Sequence, residues 1–402
     1  MASIVKSTSQ TATYTATGTL DEDISEIITN ISPEDTPFLS TFKTAEDATE
    51  LDFSWFLDEL RPPRVNAYTE MEDYVAEDVQ GLGRMRNTIQ RFRRSARVSD
   101  DMQKVKKLYT PNDEMGRQMA IKAKELAQDM EMAIVHNAVS RLDAGTTPAL
   151  TGGIPYFLEE ETIGITFDDA DSSFTVKAPA TTHGLSTGDF VMFKGATAAD
   201  DLPAELSANK RYYVAVVTPQ NGTASVKAIL HASLEDAVHG VNPITLTDAG
   251  TGDLLMLKNN VIDCNNQPYT EQNINDALEL LFYRGGNATR AYMSGANKRR
   301  FTTAMGLVVK AEREQADKKV ISTVMAYEGD FGTVEVATHR MYPDDVIDIL
   351  DMSMWQLKYF ERPHVIELPI KGPYTEKLMS TSFGLKGTQP LASARLKNIK
   401  VQ

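Results

Sequence analysis

The sequence predicts an α+β chain with a small all-β module inserted in its middle. Three observations support this fold class. One long helical pattern covers residues 110–141, short strand patterns crowd residues 163–257, and further helices followed by a run of strands occupy the rest of the chain. Separate runs of helices and strands, rather than strict alternation of the two, are typical of α+β proteins.

The composition sets the first limits on function. The chain has 402 residues, enough for two or three domains, and a formal charge of −15, which argues against sequence-independent binding to nucleic acid but not against enclosing it. It has no apolar run long enough to cross a membrane and no signal-peptide pattern, so we expect it to be made in a cytoplasm. Cys264 is the only cysteine, which excludes an intrachain disulfide and a cysteine-based zinc site and predicts a small core residue.

The first 43 residues predict an arm that cannot form a core by itself. Residues 1–20 are rich in Ser, Thr and Ala and have few large apolar side chains. Four isoleucines at helical spacing follow, and Pro33 ends that helical pattern. An apolar plug comes next, at residues 37–39. We therefore expect residues 1–20 to be an arm that is ordered only where a partner holds it.

Residues 44–98 predict a long hairpin with oppositely charged limbs. Apolar residues alternate over residues 51–57, which is a strand signal, and a glycine-rich turn at 80–83 separates the limbs. Residues 45–83 carry eleven acids against two arginines, whereas residues 84–107 carry nine bases against two acids. A solvated surface would mix its signs, so this segregation predicts docking onto a complementary partner, including a second copy of the chain.

The candidate contact residues follow from this charge map. On the acidic limb they are Glu70, Glu72, Asp73, Glu77 and Asp78. On the basic limb they are Arg84, Arg86, Arg91, Arg93, Arg94 and Arg97. Phosphate is the alternative partner for the arginines, but a single interleaved aromatic residue, Phe92, is poor for binding single-stranded nucleic acid.

The longest predicted element is a helix over residues 110–141, preceded by a short helix over 99–109 that Ser99 caps. Thr110 and Pro111 suit the start of the long helix. Its apolar stripe consists of Met115, Met119, Leu126, Met130, Ile134 and Ala138. At about 1.5 Å per residue the helix would span roughly 45 Å, which makes it a strut. Residues 142–159 are rich in Gly and Pro and predict a loop.

The all-β module begins where the composition changes, at about residue 160. Its predicted strands cover residues 163–167, 173–177, 190–193, 212–217, 225–230 and 244–247. The earlier style of sequence returns at Asn259, so the module is predicted to be inserted into one domain. The chain on either side should then lie close together, and we expect deletion of residues 163–257 to leave a core that folds.

Helices and then strands follow the module. Thr270 caps a helix that ends at Gly285, and a second helix is predicted over residues 296–313, with a strand at 290–293 between them. The remaining predicted strands cover residues 333–337, 346–350, 355–359, 377–383 and 391–399.

No set of residues predicts an active site, a metal or a cofactor. Ser186 lies in a G-x-S-x-G pattern, but a strand pattern follows it where a nucleophile elbow needs a helix. The histidines of the module lack the spacing of a known metal site: His183, His231 and His239. Three acids resemble only part of a calcium loop: Asp168, Asp169 and Asp171. Two alternatives to a structural role stay open, a hydrolase that uses Ser186 and a surface or carbohydrate-binding protein built on the module.

Residues 23–39, DISEIITNISPEDTPFL, closely resemble the opening of one family of major capsid proteins of tailed bacteriophages. In that family an "ISP…TPF" run is followed by a strand that contains a Trp and acids, as residues 53–60 do here. Residues 327–334 are similar to the family's DFG-containing segment, and residues 351–359 resemble its C-terminal strand region. The resemblance covers essentially the whole chain apart from the module.

The resemblance implies the Hong Kong 97-type phage capsid fold. Its parts would be an N-terminal arm at 1–43, an extended loop at 44–98, a peripheral domain with a spine helix at 99–141, an axial domain at 142–162 and 258–350, the inserted β domain at 163–257, and peripheral strands again at 351–402. The inserted domain looks like small β modules of other phage structural proteins, which implies that it projects outward from a shell.

The function that the resemblance implies is that of a shell protein and not of an enzyme. Copies would assemble as hexamers and pentamers into an icosahedral capsid that encloses double-stranded DNA, first in the bacterial host cytoplasm and then in the virion. A portal protein, a separate scaffolding protein and a decoration protein are the further implied partners. Some members of the fold crosslink subunits through a lysine of the extended loop, but no Lys lies between Lys43 and Lys104, so we expect no crosslink by that route.

Overall fold

The computed structural model describes most of the chain. It covers residues 36–58, 60, 63, 66–67, 70–71, 73, 82–104, 114–159, 162–177, 185–197, 200–208, 210–217, 227–257, 260–305, 326–369 and 371–401. The predictions for residues 1–35, for the start of the long helix at 110–113 and for the helix end at 306–313 lie outside the described residues.

The described elements follow one another in chain order. The helices are α1 (Pro37–Thr41), α2 (Asp100–Lys104), α3 (Glu114–His136), α4 (Ile154–Phe157), α5 (Leu234–His239), α6 (Glu271–Tyr283) and α7 (Gly295–Met305). The strands are β1 (Lys43–Thr44), β2 (Asp52–Leu57), β3 (Gly83–Thr88), β4 (Gln90–Ser99), β5 (Thr162–Asp168), β6 (Ser173–Val176), β7 (Phe190–Gly195), β8 (Tyr212–Val216), β9 (Lys227–His231), β10 (Leu254–Leu257), β11 (Val261–Gln267), β12 (Arg290–Met293), β13 (Ala326–Gly329), β14 (Gly332–Thr338), β15 (Ile347–Leu350), β16 (Trp355–Glu367), β17 (Tyr374–Gly387) and β18 (Ala394–Ile399).

The chain divides into two compact units. The smaller one contains Arg93–Leu126 and Pro363–Ser380, and the larger one contains Asp35–Phe92, Ala127–Arg362 and Thr381–Gln402. In the smaller unit, a small apolar cluster joins β4, α3 and β17: Ala96, Val98, Met115, Met119 and Met379. This cluster explains why the first half of the predicted apolar stripe is buried.

The larger unit is built around a six-stranded sheet in the order β11-β18-β15-β12-β14-β13. Its core includes the apolar face of α6, which Thr270 caps as predicted by accepting the N–H of Asn273. β18 lies between β11, with which it runs parallel, and β15, with which it runs antiparallel. The end of the chain therefore belongs to the sheet of residues 261–350. The family resemblance implies instead that all of residues 351–402 stay together, but β18 lies in a different sheet from β16 and β17. Local patterns specify strands but not their partners.

Residues 162–257 form a closed barrel in the order β10-β5-β6-β9-β8-β7. Three mutually contacting aromatic rings fill it, those of Phe167, Phe174 and Phe193, with centroids 5.2–6.1 Å apart. The prediction of a strand at 244–247 is wrong. This segment donates one hydrogen bond from the N–H of Ile244 and one from that of Leu246. β10 closes the barrel instead, by pairing with β5 and β7. The sequence also missed α5, which precedes this segment.

The barrel packs against the six-stranded sheet of the larger unit. Met192 of β7 and Leu257 of β10 belong to the apolar core of the six-stranded sheet. Arg211 pairs with Glu279 of α6 at 2.9 Å and lies 3.5 Å from the centroid of the Tyr283 ring. The two ends of the barrel are neighbours, as predicted, because Thr162 pairs with Leu257. Deleting residues 163–257 would nevertheless remove two buried side chains from the core, which the sequence alone did not indicate.

The long helix ends earlier than the sequence predicts, at His136 instead of residue 141. Asn137 leaves the helix because its side chain donates to Thr151 O at 2.8 Å and to Gln90 Oε1 at 3.0 Å. The predicted stripe is buried from Met115 to Ile134, but Ala138 is exposed. The loop predicted at 142–159 contains the short helix α4, and the short helix predicted at 99–109 is described only as α2, with Ser99 Oγ accepting the N–H of Met102.

Candidate interaction surface

The hairpin predicted at residues 44–98 contains a two-stranded ribbon of β2 and β3, in register from Asp52 opposite Thr88 to Leu57 opposite Gly83. One side of the ribbon is buried through Phe53 and Trp55. Gly384 of β17 makes room for it, since a Cβ at this position would lie 2.7 Å from the Phe53 ring.

Asn87 fixes the base of this ribbon. It is fully buried, and its Nδ2 donates to Leu385 O at 2.6 Å and to Gly152 O at 2.9 Å. Its Oδ1 accepts the N–H of Gly152 at 2.8 Å. Because every polar atom of the side chain is bonded, burial costs little and the position of the ribbon on the larger unit is well defined.

The other side of the ribbon faces solvent and carries two of the predicted arginines. Arg84 and Arg86 are exposed there, beside Ser54 and Phe56 on the neighbouring strand. Arg84 Nη2 donates to Ser54 Oγ at 3.0 Å, whereas Arg86 has no carboxylate partner among the described residues. Phe56 is 67% exposed, so an aromatic ring lies beside the arginines on this side of the ribbon.

β4 belongs to a different sheet from β2 and β3, and its residues alternate strictly between buried and exposed positions. Phe92, Ala96 and Val98 point inward, and Arg91, Arg93 and Arg97 are exposed. Within the part of the chain that the structure describes, no carboxylate lies within ion-pair distance of Arg91 or Arg93.

Arg97 and Arg94 differ from the other predicted arginines. Arg97 Nη2 lies 3.3 Å from Glu376 Oε1, and its guanidinium lies 4.5 Å from the centroid of the Tyr374 ring. Arg94 faces the other side of β4, is half-buried and has interactions of its own. The structure therefore leaves Arg84, Arg86, Arg91 and Arg93 as the arginines that face outward without an ion pair among the described residues.

The acidic limb is described only in part. Glu70 and Asp73 are exposed, and Glu72, Glu77 and Asp78 lie outside the described residues. No contact between Glu70 or Asp73 and the arginines occurs among the described residues. Large apolar side chains on the same limb are also exposed, with Leu60 and Met71 both at 98%.

The residues considered for chemistry have structural environments. Ser186 donates its backbone N–H to Asp189 Oδ2, and the element that follows it is strand β7 and not the helix that a nucleophile elbow needs. The Nδ1 of His231, which is buried, lies 2.9 Å from Val241 O, and His239 is exposed at the end of α5. Asp168 and Asp171 contact Lys227. His183 lies outside the described residues.

Cys264 is buried, as predicted, and its burial raises the pKa of its thiol to about 11. None of the described helices combines the length and apolarity that crossing a membrane requires.

Two hydrogen-bonded pairs of buried side chains were not predicted from the sequence. Arg395 of β18 donates to Asp348 of β15, and His339 is bonded to Glu131 of α3.

The fold is similar to that of phage capsid proteins. The chain superposes on the cyanophage A-1(L) capsid asymmetric unit with a TM-score of 0.56 and 10% identity, covering 97% of this chain and 100% of that chain. It superposes on the capsid of a native GTA particle with a TM-score of 0.52 and 12% identity, covering 96% of this chain and 98% of that chain. At these identities the likeness concerns the fold alone. No curated protein matches the sequence.

The family model of the SU10 major capsid protein matches residues 6–400, and the chain belongs to that family. It is therefore a structural protein of a phage capsid and not an enzyme, and the hydrolase hypothesis built on Ser186 is wrong. The resemblance to phage major capsid proteins, first carried by residues 23–39, is confirmed.

Proposed function

We propose that this chain self-assembles into hexamers and pentamers that form an icosahedral shell around double-stranded DNA. Assembly takes place in the host cytoplasm, with a portal protein, a separate scaffolding protein and a decoration protein as further partners. Family membership and the capsid fold support self-association as the starting point.

The observation that carries the proposal is the set of exposed arginines on β3 and β4, Arg84, Arg86, Arg91 and Arg93. A two-stranded ribbon is marginal in water unless it packs on something. Here its inner side packs on the larger unit, but its outer side presents exposed arginines beside the exposed ring of Phe56. Acids elsewhere on the same hairpin, Glu70 and Asp73, supply the opposite charge. The arginines of one copy can therefore pair with the acids of the next in a head-to-tail contact, which gives a ring when the rotation between copies closes.

The overall charge supports a wall that encloses DNA without gripping it. A formal charge of −15 repels phosphate at long range, and specific binding to nucleic acid would need a basic face of much larger extent. In this proposal residues 1–43 are the arm and 44–98 the extended loop, and α3 is the spine of a peripheral domain. The axial domain comprises 142–162 and 258–350, and the barrel projects outward from it.

Electron microscopy and sedimentation of the purified protein test the proposal. We expect rings and shells, alone or after addition of a scaffolding protein. A single small particle under all of these conditions would contradict it, and a discrete particle that binds a glycan would favour the alternative of a carbohydrate-binding protein built on the barrel.

A further inference from the structure

A fully buried carboxylate holds the first described residues of the chain. Glu131 of α3 is 0% exposed. Its Oε1 accepts the backbone N–H of Phe38 at 2.8 Å, and its Oε2 accepts that of Leu39 at 3.1 Å. These N–H groups belong to the first turn of α1, where no partner exists within the helix. Thr36 makes no side-chain cap, so a residue 93 positions away from Phe38 takes its place.

His339 completes the bonding of this carboxylate. The Nδ1 of His339 accepts the backbone N–H of Met341 at 3.1 Å. The ring proton is therefore on Nε2, which donates to Glu131 Oε1 at 2.8 Å. Three donors thus converge on two carboxylate oxygens inside the larger unit. Bonds to an ionised carboxylate are among the stronger hydrogen bonds in proteins, which makes this an effective anchor for a short segment.

Phe38 occupies an aromatic pocket next to the carboxylate. Its side chain is 0% exposed. The centroid of its ring lies 4.4 Å from that of Tyr292, 5.0 Å from that of Phe42, 5.2 Å from that of His339 and 6.4 Å from that of Tyr342. The apolar plug predicted at residues 37–39 is therefore real, and its receptor is in the same chain.

We propose that α1 is a latch, in which Glu131 and the pocket around Phe38 hold residues 36–42, the end of the N-terminal arm, on the larger unit and so fix the point at which the rest of the arm joins it. α1 has only five residues, and the strand after it, β1, pairs with β16 at only two positions. Release of the latch would therefore free the start of the chain without unfolding the sheet. The inference rests on the proposed function, because a shell requires each copy to present its arm from the same place.

Glu131→Gln in the full-length protein tests the latch. Glutamine keeps one acceptor oxygen but replaces the other with an NH₂ donor, so one of the three converging N–H groups faces another donor. We expect hydrogen exchange at Phe38 and Leu39 to accelerate by about tenfold or more, while α6 keeps its protection. The yield of particles should fall. Glu125→Gln is the matched control on the same helix, since Glu125 is 34% exposed and pairs only with Lys122 among the contacts described for it.

Phe38→Ala is the second variant, in case Glu131→Gln does not fold. It empties the pocket and leaves Glu131 and His339 in place, and it should accelerate exchange over the same residues, 36–42. Unchanged exchange at these residues would overturn the latch, and so would equal acceleration in α6, which would make α1 ordinary core. Normal particle yield from a released latch would also overturn it. If the wild-type chain forms no particles, the proposed function fails, and the exchange measurement still decides whether the latch exists.

Discussion

Replacing Arg91 and Arg93 together with glutamate is expected to abolish particle formation while the protein stays folded. Both side chains are on the exposed side of β4, and neither has a carboxylate partner within the described part of the chain. Reversal puts like charges together wherever a neighbour presents acids. A penalty of about 1.4 kcal/mol per contact already lowers an association constant tenfold, and a shell multiplies that penalty over many contacts. Arg94 is left unchanged because it is half-buried and has interactions of its own.

Sedimentation and electron microscopy measure the particles, and circular dichroism and a thermal melt measure the fold. The matched control is Lys210→Glu with Arg299→Glu, which makes the same change in net charge at exposed positions outside β3 and β4. A charge swap adds a sharper test: Glu70→Lys and Asp73→Lys in the reversed protein should restore part of the yield. Particles from the reversed protein at wild-type yield would contradict the prediction, as would an equal loss in the control.

Asp348→Ala is expected to cause the largest loss of stability of any single substitution considered. Asp348 is 0% exposed and lies directly opposite Arg395 in the sheet. Arg395 donates from Nε and Nη2 to its two oxygens, both at 2.7 Å, and the hydroxyl of Tyr342 donates to Oδ2 as well. Burial alone would lower the pKa of Arg395, but the Asp348 carboxylate outweighs it and raises that pKa above its ordinary value. A guanidinium is effectively always protonated in proteins, so Arg395 keeps its charge when Asp348 is removed and is left buried without its carboxylate partner.

A buried charge without a partner costs about 3–5 kcal/mol, a large share of the roughly 5–15 kcal/mol that stabilises a typical domain. Denaturant titration of the soluble protein measures the loss. Glu335→Ala is the control, because it breaks the Arg290–Glu335 pair at 2.7 Å, in which both partners are partly exposed, and should cost less than about 1 kcal/mol. The double variant Asp348→Leu/Arg395→Met should recover part of the loss, since both charges are then gone. Equal stability of Asp348→Ala and Glu335→Ala would show that the pair contributes little.

Much of the fold could be predicted because its signals are local. Alternation over residues 163–167 predicted β5, a short apolar run over 190–193 predicted β7, and the cap at Thr270 predicted the start of α6. The strand predicted at 244–247 does not form. Alternating apolar residues indicate a segment that is buried on one side, and this segment meets that condition with one bond to a strand, from the N–H of Ile244 to Leu230 O. Which run closes a barrel depends on register with β5 and β7, and local pattern carries no such information.

Long-range bonds account for the other differences. α3 stops at His136 because Asn137 bonds to Thr151 and Gln90, and the residues that follow would otherwise continue a good helical pattern. Long-range bonds also explain why the burial of Glu131 was not predicted. A glutamate in a helical pattern is expected to face solvent, and the partners of this one, Phe38 and His339, are far away in sequence. Buried polar anchors of this kind become visible only once the chain is folded.

The candidate interaction surface, too, could be predicted only in part. The charge map placed acids and bases on opposite limbs of the hairpin, and the structure confirms that Arg84, Arg86, Arg91 and Arg93 are exposed. It could not show that Arg97 has its own partner, Glu376, because that carboxylate comes from a strand hundreds of residues later. The proposed contact between copies is therefore carried by a smaller set of arginines than the sequence suggested.

A reconstruction of the assembled particle by electron cryomicroscopy tests the proposed contact and the proposed assembly together. We expect a shell made of rings of five and six copies, in which exposed arginines of β3 and β4 of one copy, including Arg91 and Arg93, lie against acidic residues of the next. A shell in which these arginines point into solvent would contradict the proposed contact. A chain that never forms rings or shells would contradict the proposed function itself.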